Sequence, residues 1–152
     1  MIIRLLLSVT LAVIAVGLFI LNREAEVKTP AELEREFILS SSAIDKEVDL
    51  VLDQFGIEKT WVRKREISDP GGRFRRVERR VAVPPDVLPA MLNRELNSLA
   101  RRFRGRAVAT ENLKENSVTI QIILQQTVIQ TVIVKVNPEI DRKEPGGQLK
   151  KI

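Results

Sequence analysis

Residues 117–136 read SVTIQIILQQTVIQTVIVKV, and the reading of this run decides the fold. Val118, Ile120, Ile122 and Leu124 alternate with Thr119 and Gln121, the period of two that half-buries a strand against a single layer. Val, Ile and Thr make up most of the run, and their branched side chains favour extended backbone. Twenty residues are too many for one strand of the usual length, about five or six. The length therefore predicts a tight hairpin near Gln125-Gln126, although that turn lacks Gly, Asn and Asp. Asn137-Pro138 marks the exit, since proline cannot donate to a ladder.

Working outward toward the N-terminus, Arg106–Thr110 reads as a short strand and Glu111–Asn116 as a turn. The preceding segment carries Leu88, Leu92, Leu96, Leu99 and Phe103 at steps of three and four, the apolar stripe of a helix. Asp86 is its expected cap, Pro89 falls in the first turn, and Gly105 is the expected stop. Arg73–Val83 reads as a strand with Val77, Val81 and Val83 on one face, ended by Pro84-Pro85. Ser68-Asp69-Pro70-Gly71-Gly72 reverses the chain, and Ile57–Ile67 reads as the strand before it, with Ile57, Trp61 and Ile67 on one side. Further back, Ile44, Val48, Val51, Leu52 and Phe55 define a helix ended by Gly56. Thr29-Pro30-Ala31-Glu32 has the form of a capping box and opens a helix with Leu33, Phe37 and Ile38 on one face. Ser40-Ser41-Ser42 is expected to separate the two helices, because serine competes for backbone hydrogen bonds.

Met1 to Asn22 behaves differently. Leu5–Leu21 is seventeen residues without a charge, and about 25 Å of helix at 1.5 Å per residue falls slightly short of a hydrocarbon core of about 30 Å. Ile2, Ile3 and a snorkelling Arg4 close the gap. A cleaved secretory signal is the competing reading, with Ala15-Val16-Gly17 as its site, but Leu18-Phe19-Ile20-Leu21 continues the apolar run past it. The expected organisation is a transmembrane signal anchor at 1–22, a neck and membrane-proximal helix at 23–42, an α+β domain at 43–138 and a polar, flexible tail at 139–152. Its element order is α-β-β-α-β-β-β, with the helices on one face of a mainly antiparallel sheet, in part like a split β-α-β arrangement. A very short leading tail before a large domain favours a cytoplasmic N-terminus and an extracytoplasmic domain.

Composition removes whole classes of chemistry. The chain has no Cys, His or Tyr, which excludes disulfides, thiol or Ser-His-Asp catalysis and the commonest metal ligand. No cofactor or metal site is expected. Charge is the sharpest remaining feature: residues 59–106 hold fourteen Lys and Arg against five acids, so about +9 sits there and −4 elsewhere, within a total of +5. The candidate binding surface is Arg63, Arg65, Arg73, Arg75, Arg76, Arg79, Arg80, Arg101, Arg102 and Arg104, since the guanidinium fork grips phosphate and carboxylate. Its expected partners are lipid headgroups, an anionic envelope polymer or an acidic protein, with self-association left open. Nucleic acid is a poorer match, because few aromatic residues interleave with the basic stretch. Arg79 shares strand parity with Val77 and Val81, so the hairpin has a mixed face that a partner or solvent must meet. Asp45 and Asp49, one helical turn apart, are the closest approach to a catalytic carboxylate pair, and solvation of a helix surface is the better account of them.

The segments AIDKEVDLVLDQFGIEKTWVRKREI and VAVPPDVLPAMLNRELNSLARRFRGRAVATE resemble, in layout, the membrane-proximal N-terminal region of divergent polysaccharide deacetylase proteins. That resemblance covers roughly residues 43–138 and implies an envelope location and a non-catalytic module. It carries over no metal-binding or catalytic residue, because the sequence stops where the catalytic domain would begin. The expected function is a single-span, non-catalytic envelope protein whose domain binds or scaffolds another component. A subunit of a secretion or pilus-type inner-membrane platform, or an accessory subunit of a polysaccharide-modifying enzyme, are the alternatives.

Overall fold

The computed structural model describes residues 28–68, 71–72 and 74–140. The apolar segment at 5–21, Arg73 and the tail beyond Ile140 lie outside the described residues, and no helix among those described is long and apolar enough to cross a membrane. The chain divides between Arg35 and Glu36. On the N-terminal side, the described residues open helix α1 (Pro30–Gln54) with the expected capping box. Thr29 donates its backbone N–H to Glu32 Oε2 at 2.8 Å, and Glu32 N–H donates back to Thr29 Oγ1 at 3.3 Å.

The C-terminal unit is α+β. After α1 come β1 (Val62–Ser68), β2 (Arg75–Val83), α2 (Pro89–Arg102), β3 (Arg106–Asn112), β4 (Ser117–Leu124) and β5 (Thr127–Val136). The five strands form one mixed sheet in the order β1-β2-β5-β4-β3. Only the central β2–β5 pair is parallel; the others are antiparallel hairpins. Residues of one parity along each strand, among them Val81, Val83, Val132, Val134, Ile120 and Ile122, pack with Ile44 and Val48 of α1 and Leu92, Leu96 and Leu99 of α2 in a single core. Both helices therefore cover the same face, and among the described residues no helix covers the other, open face.

Three expectations about boundaries are corrected. Ser40-Ser41-Ser42 does not break the helix, because Phe37, Ser41, Ile44, Val48 and Val51 form one continuous stripe and Ser41 occupies a buried position in it. Packing of that stripe outweighs the local preference of serine. Ile57 does not begin β1. Its N–H closes the end of α1 on Leu52 O at 3.1 Å, with Gly56 left-handed at φ 68°, and a 3-10 turn at Lys59–Trp61 precedes the strand. Ile67, expected to share a side with Ile57, falls on the open face. Finally, α2 starts at Pro89 with an extended Leu88 before it, rather than at a cap on Asp86. A residue preceding proline is pushed out of the helical region.

Gly105 does not reverse the chain after α2, as Arg104 takes the left-handed turn at φ 59°. The glycine serves close approach instead: a Cβ there would stand 2.6 Å from Ile123 O. The predicted reversal at Gln125-Gln126 is present, with both residues left-handed at φ 48° and 67°. That is the turn normally made by Asn-Gly. Just beyond it, Ile122 pairs with Gln130 but Ile123 pairs with Val128, leaving Ile129 as a bulge. The bulge turns the neighbours Ile129 and Gln130 both toward the helices, where both are buried.

A non-glycine residue in the left-handed region costs about 1–2 kcal/mol. Replacing Gln125 by Asn and Gln126 by Gly is therefore expected to raise the stability by about 1 kcal/mol, read as a higher midpoint of denaturant unfolding at unchanged m. An unchanged or lowered midpoint would count against the turn geometry.

Candidate binding surface

β2 reads RRVERRVAV, and alternation sends Arg75 and Arg79 to the helix face and Arg76 and Arg80 to the open face. Arg79 is fully buried and leaves the candidate binding surface for that reason. Nothing outside the domain is needed to meet it, because α1 lays its own acids over it. The Arg79 guanidinium donates through Nε to Asp49 Oδ1 at 2.9 Å, through Nη2 to Asp45 Oδ1 at 2.7 Å and to the Asp45 carbonyl at 3.0 Å. Its Nη1 donates to Gln130 Oε1. Gln130, turned inward at the bulge, donates its amide back to Asp45 Oδ1 at 3.3 Å. Lys64 of β1 closes the cluster, 2.8 Å from Asp45 Oδ2 and 3.5 Å from Asp49 Oδ2.

Burial pushes the Asp45 carboxyl up, but hydrogen bonds from Lys64 and Arg79, and their charges, outweigh it and hold the group below its ordinary 3.8. Asp45 and Asp49 are thus the anionic half of an ion cluster, each facing two cations. Among the described residues, no group of three or more His, Cys, Asp or Glu could hold a metal ion.

The open face carries the remaining arginines of the hairpin. Register sets Arg63 opposite Arg80, Arg65 opposite Glu78 and Ile67 opposite Arg76. Arg65 and Arg80 both pair with the half-buried Glu78, at 3.4 and 3.3 Å. Neither Arg63 nor Arg76 forms an ion pair with a described residue. Arg63 and Arg80, directly opposed, repel, and among the described residues one carboxylate stands among four guanidinium groups. Toward β5 and β4 the same face carries Thr131, Ile133, Thr119 and Gln121 aligned across the strands, with Lys135 exposed near the end of β5.

The ten arginines singled out from the sequence do not make one surface. Arg75, at the hairpin end on the helix side, pairs with Glu66 at 2.8 Å, and Arg73 lies outside the described residues. Arg101, Arg102 and Arg104 end α2, which leads into β3 at the opposite edge of the sheet from β1, and Arg102 pairs with Glu47 of α1 at 3.1 Å. What the geometry brings together is Arg63, Arg65, Arg76 and Arg80, with Glu78 between them. Sequence parity along β2 carried the signal for this division. Gln130, by contrast, gave no signal, because nothing local marks it as a partner of Arg79, 51 residues away.

No family model, no curated protein and no solved structure matches the chain.

Removing one partner of a buried ion pair costs about 3–5 kcal/mol. Arg79→Ala is expected to lose stability on that scale, read from urea unfolding, whereas Arg63→Ala is expected to lose less than about 0.5 kcal/mol. The depressed Asp45 contributes stability that is complete above pH 3.8 and is lost as pH falls through its lower folded value. Acid unfolding of the wild type should therefore show a limb below pH 3.8 that Asp45→Asn removes.

Proposed function

We propose that this chain is a non-catalytic binding or scaffolding protein of a cell envelope, held to the membrane by its apolar N-terminal segment. On this reading the N-terminus is cytoplasmic and the α+β domain extracytoplasmic, and the open sheet face takes an anionic component of the envelope. The single observation that supports it most is the set of four arginines with one carboxylate among them, counted over the described residues, on a sheet face that no described helix covers. Such a set is poorly neutralised within the domain. Repulsion across Arg63 and Arg80 is relieved when an anion sits between them. Glu78 holds Arg65 and Arg80 in place, so part of the orientational cost of binding is met before the partner arrives.

The contrast with Arg79 strengthens the reading. Where this hairpin places an arginine on its inner face, the domain supplies two carboxylates, an amide and a carbonyl to satisfy it. On the outer face, among the described residues, it supplies Glu78 alone. The absence of His and Cys from the sequence, and the engagement of Asp45 and Asp49 by cations, leave no evident general base, which favours binding over catalysis.

Charge reversal at Arg63, Arg76 and Arg80 together should abolish recovery of the partner after cross-linking in intact cells, while the thermal unfolding of the variant changes little. Recovery at the wild-type level would overturn the assignment of the surface. Placement is tested separately: the chain has no cysteine of its own, so Leu149→Cys should react with a membrane-impermeant maleimide on intact or outer-permeabilised cells. Labelling only after lysis of the inner membrane would reverse the orientation.

A further inference from the structure

β1 and β3 are the two edges of the sheet, and they are defended unequally. β1 carries Arg63, Lys64, Arg65 and Glu66 in succession, all exposed, and a charged edge resists pairing with another strand. β3 presents Ala107, Val108, Ala109 and Thr110, without charge or proline, and its register with β4 is unbroken from Arg106 to Asn112. Val108 is 40% exposed.

The direction of the free backbone groups follows from one contact. Ala107 N–H turns off the sheet and donates to Asn97 Oδ1 of α2 at 3.0 Å. Strand alternation points the N–H and C=O of Ala109 and Glu111 the same way. Asn97 therefore blunts only the first rung of the edge, and the rungs at Ala109 and Glu111 are left for another strand.

We propose that β3 pairs antiparallel with β3 of a second copy of this chain, about a two-fold axis at Ala109, joining the two sheets into one. In this register Ala109 exchanges both hydrogen bonds with Ala109 of the partner subunit. Glu111 N–H reaches the Ala107 carbonyl across the axis, which uses the groups Asn97 leaves free. The charges allow it: β3 runs from Arg106 to Asn112, so running two copies in opposite directions sets Arg106 of each against the neutral Asn112 of the other. Moving the axis to Thr110 would instead set Arg106 against Lys114. The axis stands perpendicular to the sheet, so both copies turn their open faces to the same side. This inference is independent of the proposed function, since it uses none of the residues assigned to the anionic partner.

The test is the oligomeric state of the full chain, solubilised in detergent, by sedimentation velocity. The wild type is expected as a dimer and Ala109→Pro as a folded monomer, because the N–H that proline removes faces away from β4. A second measurement does not depend on the proline variant folding. Val108 and Thr110 oppose each other across the axis as a non-hydrogen-bonded pair, with Cα atoms about 4.5 Å apart, within disulfide reach. Val108→Cys with Thr110→Cys should then give a covalent dimer on oxidation, while Arg63→Cys with Arg65→Cys on the charged edge should give no covalent link. A wild type that remains monomeric at the highest concentration reached, as it would if residues beyond Ile140 or another protein closed the edge, overturns the proposal. So does a dimer that survives Ala109→Pro without forming the disulfide.

Discussion

A guanidinium group taken out of water must find nearly all of its hydrogen-bond partners inside the protein, and Arg79 does so by drawing on α1 and β5. Asp45 and Asp49 come from α1, Gln130 from β5, and Lys64 of β1 balances the second charge. The requirement fixes where α1 can lie, because two acids one turn apart must both reach the same side chain. Gln130 reaches it from the inward parity that it shares with Val132 and Val134. Replacement of a buried ion cluster by apolar side chains of similar volume is often close to neutral in stability. The cluster is better understood as what sets the register of helix on sheet than as a large source of stability. The apolar residues around it would allow α1 to slide by a turn; the charges do not.

The same hairpin accounts for both faces of the domain. Its sequence RRVERR is two arginine doublets four residues apart, and the two-residue period of a strand divides each doublet between the layers. Arg75 and Arg79 go to the helix side, Arg76 and Arg80 to the open side. A stretch that looks uniformly basic is thus divided: Arg79 is buried and neutralised nearly completely, Arg75 stays exposed beside Glu66, and the open-face pair leans on Glu78.

Signals that act over a few residues were legible in the sequence. Alternation in residues 117–136 gave two strands and the reversal between them, the leucine stripe gave α2, and Thr29-Glu32 and Gly56 gave the two ends of the α1 region. The fold class follows from these, as does the assignment of Arg63 and Arg65 to one hairpin face. Features depending on contacts between distant segments were not legible. That Arg79 is buried is decided by Asp45 and Asp49, thirty or more residues away, and those acids looked like an ordinary solvated helix face. Ser41 looked like a break because its neighbours in the core stripe belong to segments read as separate helices. Leu88 stays outside the helix for a local reason: the restraint of Pro89 on its neighbour outweighs the capping preference of Asp86.

The parallel seam between β2 and β5 has a consequence for how the chain reaches this state. Every other strand pair joins neighbours in sequence, whereas the seam matches Val77 with Gln130 and Val83 with Val136. Its formation closes a loop of roughly fifty residues, an entropic cost of about (3/2)RT ln n that no single contact repays. The β1–β2 hairpin with α1, and α2 with the β3–β4–β5 meander, can each gather early from short-range contacts. The rate-limiting encounter is then their docking along one line, and substitutions at Val81, Val83, Val132 and Val134 should retard refolding more than equally destabilising changes at the hairpin tips.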